Sequence, residues 1–65
     1  MDYKKIILDN YNTYNNNIDN YYNYFKRYNI KMLALTTDKR SGILKHNNKK
    51  IYFYILNNKI DVEIY

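Results

Sequence analysis

Two periods of hydrophobic and polar residues divide this chain. From Ile7, the residues Tyr11, Tyr14, Ile18, Tyr21, Phe25, Tyr28 and Met32 follow at spacings of 4, 3, 4, 3, 4, 3 and 4. At 100° per residue they fall within an arc of about 100° on one side of a helix. Asn12, Asn16, Asp19 and Asn23 take the opposite side, where water satisfies them. Tyr22 and Tyr24 flank the stripe, an arrangement that buries ring edges and leaves hydroxyls wet. Asparagine is a poor helix former because its amide competes for backbone hydrogen bonds, but burial of an apolar stripe outweighs so small a preference.

Tyr3 continues the same stripe, so one helix over 2–29 would satisfy the pattern. At 1.5 Å per residue it would be about 40 Å long, twice the length of a sheet built from six-residue strands. A break is therefore expected, with Asp9 or Asn10 as the N-cap of a helix over about 10–29. YKKIIL then stands apart as a strand or short helix, unless the helix extends back to 3.

After Asn29 the period becomes two. IYFYIL and KIDVEIY are rich in β-branched and aromatic residues and are separated by Asn57 and Asn58, a pair that tolerates the left-handed backbone of a two-residue turn. This hairpin pairs Ile55 with Ile60, Phe53 with Val62 and Ile51 with Ile64 on one face, and Tyr54 with Asp61 and Tyr52 with Glu63 on the other. A slip of one residue would set carboxylates in the aliphatic row. Asn47 and Asn48 repeat the construction one strand earlier, with Leu44 opposite Ile51 and Ile43 opposite Tyr52. KMLALT supplies a further strand, joined through TDKRSG. The expected fold is α+β: one amphipathic helix on one face of an antiparallel meander of three to four strands, at about 31–36, 43–46, 50–56 and 59–65. Its core sets the helix stripe against Leu44, Ile51, Phe53, Ile55, Ile60, Val62 and Ile64.

The 65 residues allow a single small domain, 1–65, with a modest core. No cysteine and one histidine, His46, leave neither disulfides nor thiolate zinc as a staple, which makes a partner or a second copy the natural source of extra stability. No signal-peptide pattern or long apolar run occurs, so a soluble, cytoplasmic protein without a membrane partner is expected. Asn, Lys, Ile and Tyr, the residues with the most A- and T-rich codons, make up most of the chain.

Charge is localised. Residues 26–50 hold eight Lys or Arg against one acid, Asp38, while the two flanks are slightly acidic. Folded as a meander, the chain brings Lys26, Arg27, Lys31, Lys45, Lys49 and Lys50 to one end of the sheet, a candidate docking patch for an acidic partner. The sheet face away from the helix shows Tyr52, Tyr54, Asp61 and Glu63. Tyrosine offers large contact area at low rotamer cost and is enriched in interfaces, whereas the two acids repel the phosphates that base stacking would bring.

No catalytic, metal or cofactor constellation is present. Asp61 and Glu63 lie on an open face without a cleft to shift their pKa, His46 reads as an exposed turn residue with no second ligand, and Ser41–Gly42 falls far short of a phosphate loop. The expected function is therefore non-enzymatic: a small interaction protein that inhibits or modulates a larger protein partner, such as a nucleic-acid-processing complex. By size and composition it matches small phage or mobile-element proteins that act against host defence nucleases, in the manner of anti-CRISPR proteins, which is analogy of class alone. The alternative is a small basic nucleic-acid-binding protein or regulator, with a homodimer compatible with either.

Overall fold

The computed structural model describes all 65 residues, Met1–Tyr65. Two helices, α1 (Tyr3–Tyr14) and α2 (Ile18–Lys26), precede four strands: β1 (Ile30–Leu35), β2 (Ser41–His46), β3 (Lys49–Leu56) and β4 (Lys59–Ile64). The strands form one antiparallel sheet in the order β1-β2-β3-β4, a meander with both helices on one face.

The expected limit on helix length holds, but the break lies elsewhere. The Asp9 or Asn10 cap falls in the middle of α1, and the chain turns instead at 15–17. Asn17 caps α2, its side chain accepting from the Asn20 N–H at 3.2 Å, and Asp2 caps α1 by accepting from the Lys5 N–H at 3.1 Å. The result is a pair of helices about 18 and 14 Å long, each short enough to lie on the sheet. The turn shifts the phase of the stripe. Ile7, Tyr21 and Phe25 are buried as expected, whereas Ile18 is exposed and α1 turns Tyr3, Ile6, Ile7 and Asn10 inward. Tyr3 thereby meets His46: its hydroxyl lies 2.6 Å from His46 Nδ1, so His46 is a half-buried strand residue and not an exposed turn residue.

Asn10 and Tyr21 join the helices at the centre. Asn10 Nδ2 donates to the Tyr21 carbonyl at 2.9 Å, while Asn10 Oδ1 and the Tyr21 hydroxyl have no partner within the protein, and both residues are fully buried. A buried, directional bond fixes how α1 crosses α2, at the cost of two polar atoms withdrawn from bulk water.

The hairpin registers agree with the sequence pattern. Ile51 pairs with Ile64, Tyr52 with Glu63, Phe53 with Val62, Tyr54 with Asp61 and Ile55 with Ile60; Leu44 faces Ile51 and Ile43 faces Tyr52. Both residues of the Asn57–Asn58 turn have positive φ, 51° and 62°, the requirement of a type I′ turn. The register of β1 shifts between Met32 and Ala34. Just past this bulge Leu35 faces Gly42, where a Cβ would sit 2.6 Å from the Ala34 carbonyl oxygen and 2.9 Å from the Phe53 ring, so the close approach excludes any side chain.

Two predictions follow from the helix pair. Replacing Asn17 with Ala removes the cap of α2 and lowers stability by about 1 kcal/mol, whereas Asn16→Ala is near neutral; urea unfolding of the two variants makes the comparison. Burial pushes the Tyr21 phenol above its ordinary value of 10.0. The folded chain therefore keeps a proton that the unfolded chain releases, so this contribution is intact below pH 10.0 and is lost as pH rises beyond it. Tyr21→Phe flattens that alkaline decline and leaves stability at pH 7 within about 1 kcal/mol of wild type, as measured by urea unfolding at neutral and alkaline pH. An unchanged alkaline slope would assign the decline to other groups.

Candidate functional site

Strand parity separates the two faces of the sheet. Leu44, Ile51, Phe53 and Ile55 are buried beneath the helices, so their neighbours in sequence point the other way. The outer face carries no further layer. Register alone therefore determines which side chains lie together on it.

The first row across this face is Lys31, Lys45 and Lys50, each directly opposite the next, and Tyr65 completes it by exchanging backbone hydrogen bonds with Lys50. Like charges directly opposite one another oppose sheet formation. Three in a row complement an anionic partner. The remaining members of the expected basic end go elsewhere. Lys49 pairs with His46 and so belongs to the helix side, the Arg27 guanidinium leans over the Tyr24 ring at 5.6 Å, and Lys26 borders a groove of about 380 Å³ between α2 and β1, together with Tyr22, Phe25, Ile30, Lys31 and Met32. The basic end is thus one row of three on the outer face, with Lys26 sharing the groove beside Lys31, while Arg27 and Lys49 lie apart from the row.

The second row is apolar at its centre: the bulge residues Leu33 and Ala34, then Ile43, Tyr52 and Glu63. Ser41, Tyr54 and Asp61 form the third, and Leu56 with Lys59 closes the face. Leu33, Tyr52, Tyr54 and Leu56 are each between 41% and 51% exposed, a contiguous apolar and aromatic centre. Its β4 side is acidic and held in place: the Tyr65 hydroxyl donates to Glu63 Oε2 at 2.5 Å, and its ring meets Tyr52 edge-on with centroids 5.2 Å apart. That hydrogen bond pushes the Tyr65 phenol up. Tyr52, Tyr54, Asp61 and Glu63 do share one surface.

The loop between β1 and β2 is closed on itself. Thr36 Oγ1 and the Arg40 N–H both donate to Asp38, holding its carboxyl below the usual range, and the Ser41 N–H donates to Thr36 Oγ1. These donors are committed within the loop, so the Ser41–Gly42 segment has little to offer a phosphate. No group of three His, Asp or Glu side chains is placed to hold a metal ion, and no helix is long and apolar enough to cross a membrane.

Sequence reasoning missed Leu56 as a member of this face. Parity along β3 would have found Leu56; on β1, Leu33 keeps the parity of Lys31, and Ala34 joins it on the outer face because of the bulge. Compared with known protein families, curated proteins and solved structures, the chain matches none.

The lysine row generates a stability prediction. Lys45→Gln, at the centre of the row, relieves repulsion from both sides and raises stability by about 0.5 kcal/mol at low ionic strength, and the gain vanishes near 1 M salt, where screening acts over about 3 Å. Thermal unfolding at the two salt concentrations measures it.

Proposed function

We propose that this is a non-enzymatic interaction protein that docks through its outer sheet face onto a larger protein partner and modulates that partner by occupying its surface. The observation that carries this reading is the uncovered face itself: an aromatic and aliphatic centre, Leu33, Ile43, Tyr52, Tyr54 and Leu56, with Lys31, Lys45 and Lys50 on one border and Asp61 and Glu63 on another. An apolar centre with a polar, charged rim is the anatomy of a protein interface. The two borders carry opposite charge, which sets the orientation of a partner whose acidic residues meet the lysine row. A nucleic-acid-processing complex as partner, with inhibition in the anti-CRISPR manner, belongs to the same reading and rests on analogy of size and composition.

Nucleic-acid binding is the second reading, favoured by the row of three lysines. Against it, both tyrosines of the central strand sit opposite carboxylates, Tyr52 beside Glu63 and Tyr54 beside Asp61, where a phosphate backbone is repelled.

Paired variants separate the two. Tyr52→Thr with Tyr54→Thr keeps strand propensity and removes the aromatic centre, so a protein captured from lysate by the wild type is lost while the circular dichroism spectrum is retained. Equal capture by both forms rules out this face. Oligonucleotide binding that falls steeply with salt and disappears when Lys31, Lys45 and Lys50 are replaced would establish the second reading instead.

A further inference from the structure

The sheet ends at β4, and the outer edge of this strand is free. Lys50 and Tyr65 exchange both backbone hydrogen bonds, at 2.9 and 2.8 Å. Residues along an antiparallel strand alternate between bonded and non-bonded pairs. Lys59, Asp61 and Glu63 therefore direct N–H and C=O toward β3, and Ile60, Val62 and Ile64 direct theirs outward. The same three aliphatic residues lie on the helix side of the sheet, where Ile60 and Val62 are half-buried and Ile64 is 50% exposed. The core is unfinished along this edge. On the opposite side of the sheet, β1 carries the bulge between Met32 and Ala34, a device that blunts an edge. The register of β4 runs unbroken against β3.

We propose that a second copy of this chain occupies the edge, β4 against β4 in antiparallel pairing about a twofold axis, to give a continuous eight-stranded sheet. The charge pattern selects the register. Outward-facing groups meet only if the axis passes through a facing pair of identical residues. An axis at Val62 sets Asp61 opposite Glu63 of the partner subunit twice, four carboxylates in contact. An axis at Glu63 leaves no opposite charges facing, and one at Ile60 pairs only residues 59–61 before the Asn57–Asn58 turn. An axis at Asp61 sets Lys59 opposite Glu63 of the partner subunit twice and Ile60 opposite Val62 of the partner subunit twice, with Asp61 alone meeting its own kind. These charged residues occupy non-bonded positions, where facing side chains come closest. The half-exposed aliphatic row continues into its symmetry mate, which completes the core along the edge.

Such a dimer also enlarges the outer face. Four strands at about 4.8 Å by six residues at about 3.4 Å span roughly 400 Å² in plan, about half of what each partner commonly buries in a specific complex. Two copies present one continuous face of twice that size. The dimer rests on the β4 edge and stands whether or not the outer face docks a protein.

Sedimentation of the full chain over a wide concentration range tests it. The wild type is expected to reach dimer mass. Lys59→Glu or Glu63→Lys alone weakens association roughly tenfold by replacing two attractive pairs with repulsive ones. The double variant, with both charges exchanged, restores it, which also shows that the substituted chains fold. Asp61→Asn, by removing the one like-charge contact, tightens it. A chain that remains monomeric throughout, or a dimer indifferent to Lys59→Glu and Glu63→Lys, overturns the proposal.

Discussion

Burial of one face of the sheet, with Ile30, Leu44, Ile51, Phe53 and Ile55, beneath two helices organises this fold. Four strands supply only one such face, and a sheet about 20 Å long admits only short helices over it. The hydrophobic period of residues 7–32 would suit one long helix, but half of that helix would overhang the sheet with its stripe in water. The cost of exposing Tyr11, Phe25 and their neighbours far exceeds the cost of interrupting a few helical hydrogen bonds. The chain therefore folds back on itself. Where it does so is set by the cheapest place to stop: three successive asparagines, poor in helix interiors and among the best residues at an N-cap.

Asparagine serves the strand half of the chain for a related reason. With a single glycine, itself committed to the close approach of Ala34 and Phe53 at Gly42, the turns need another residue that accepts positive φ. Asn29, Asn47, Asn57 and Asn58 all have φ between 51° and 62°, the left-handed region that asparagine enters more readily than other side chains. A composition that looks like low-complexity drift is thus partly architecture. Asn29 reverses the chain between α2 and β1, Asn47 and Asn57–Asn58 close hairpins, Asn17 caps, and Asn10 donates across the helix pair.

The strands were legible in the sequence and the helix break was not, and the difference is physical. In β3 and β4 the alternation, the turn residues and the charges all agree: a slip of one residue would place Asp61 and Glu63 in the aliphatic row, and the two-residue turn fixes the rest, so several independent preferences select one answer. For the helices the stripe alone is informative, because it is satisfied equally well by one helix or by two. The choice depends on the length of a sheet formed later in the chain. The burial of Asn10 follows from that choice, since moving the break to 15–17 rotates α1 until positions 3, 6, 7 and 10 face the sheet. The β1 bulge lies beyond pattern reasoning for a different cause. KMLALT is apolar on both faces, so its alternation contains nothing to place an extra residue, and the bulge after Met32 brings Ala34 to the outer face beside Leu33.

The surfaces left uncovered are shaped by the same constraint. On the helix face, burial fades from Ile51 at the centre of the sheet to Ile64 at its edge, although α1 packs against β4. On the outer face, nothing buries Leu33, Tyr52, Tyr54 or Leu56, yet the charges around them are sorted, lysines on β1 to β3 and acids on β4. Sorted charge adds nothing to the stability of an isolated chain. In the lysine row it detracts from it. Its worth lies in orienting a second body, and the two boundaries play separate parts: the acids and Lys59 on β4 discriminate between registers at the edge, while the lysine row, remote from that edge, remains available to whatever meets the face. A chain of 65 residues can thus complete its core with one boundary and recognise a partner with the other.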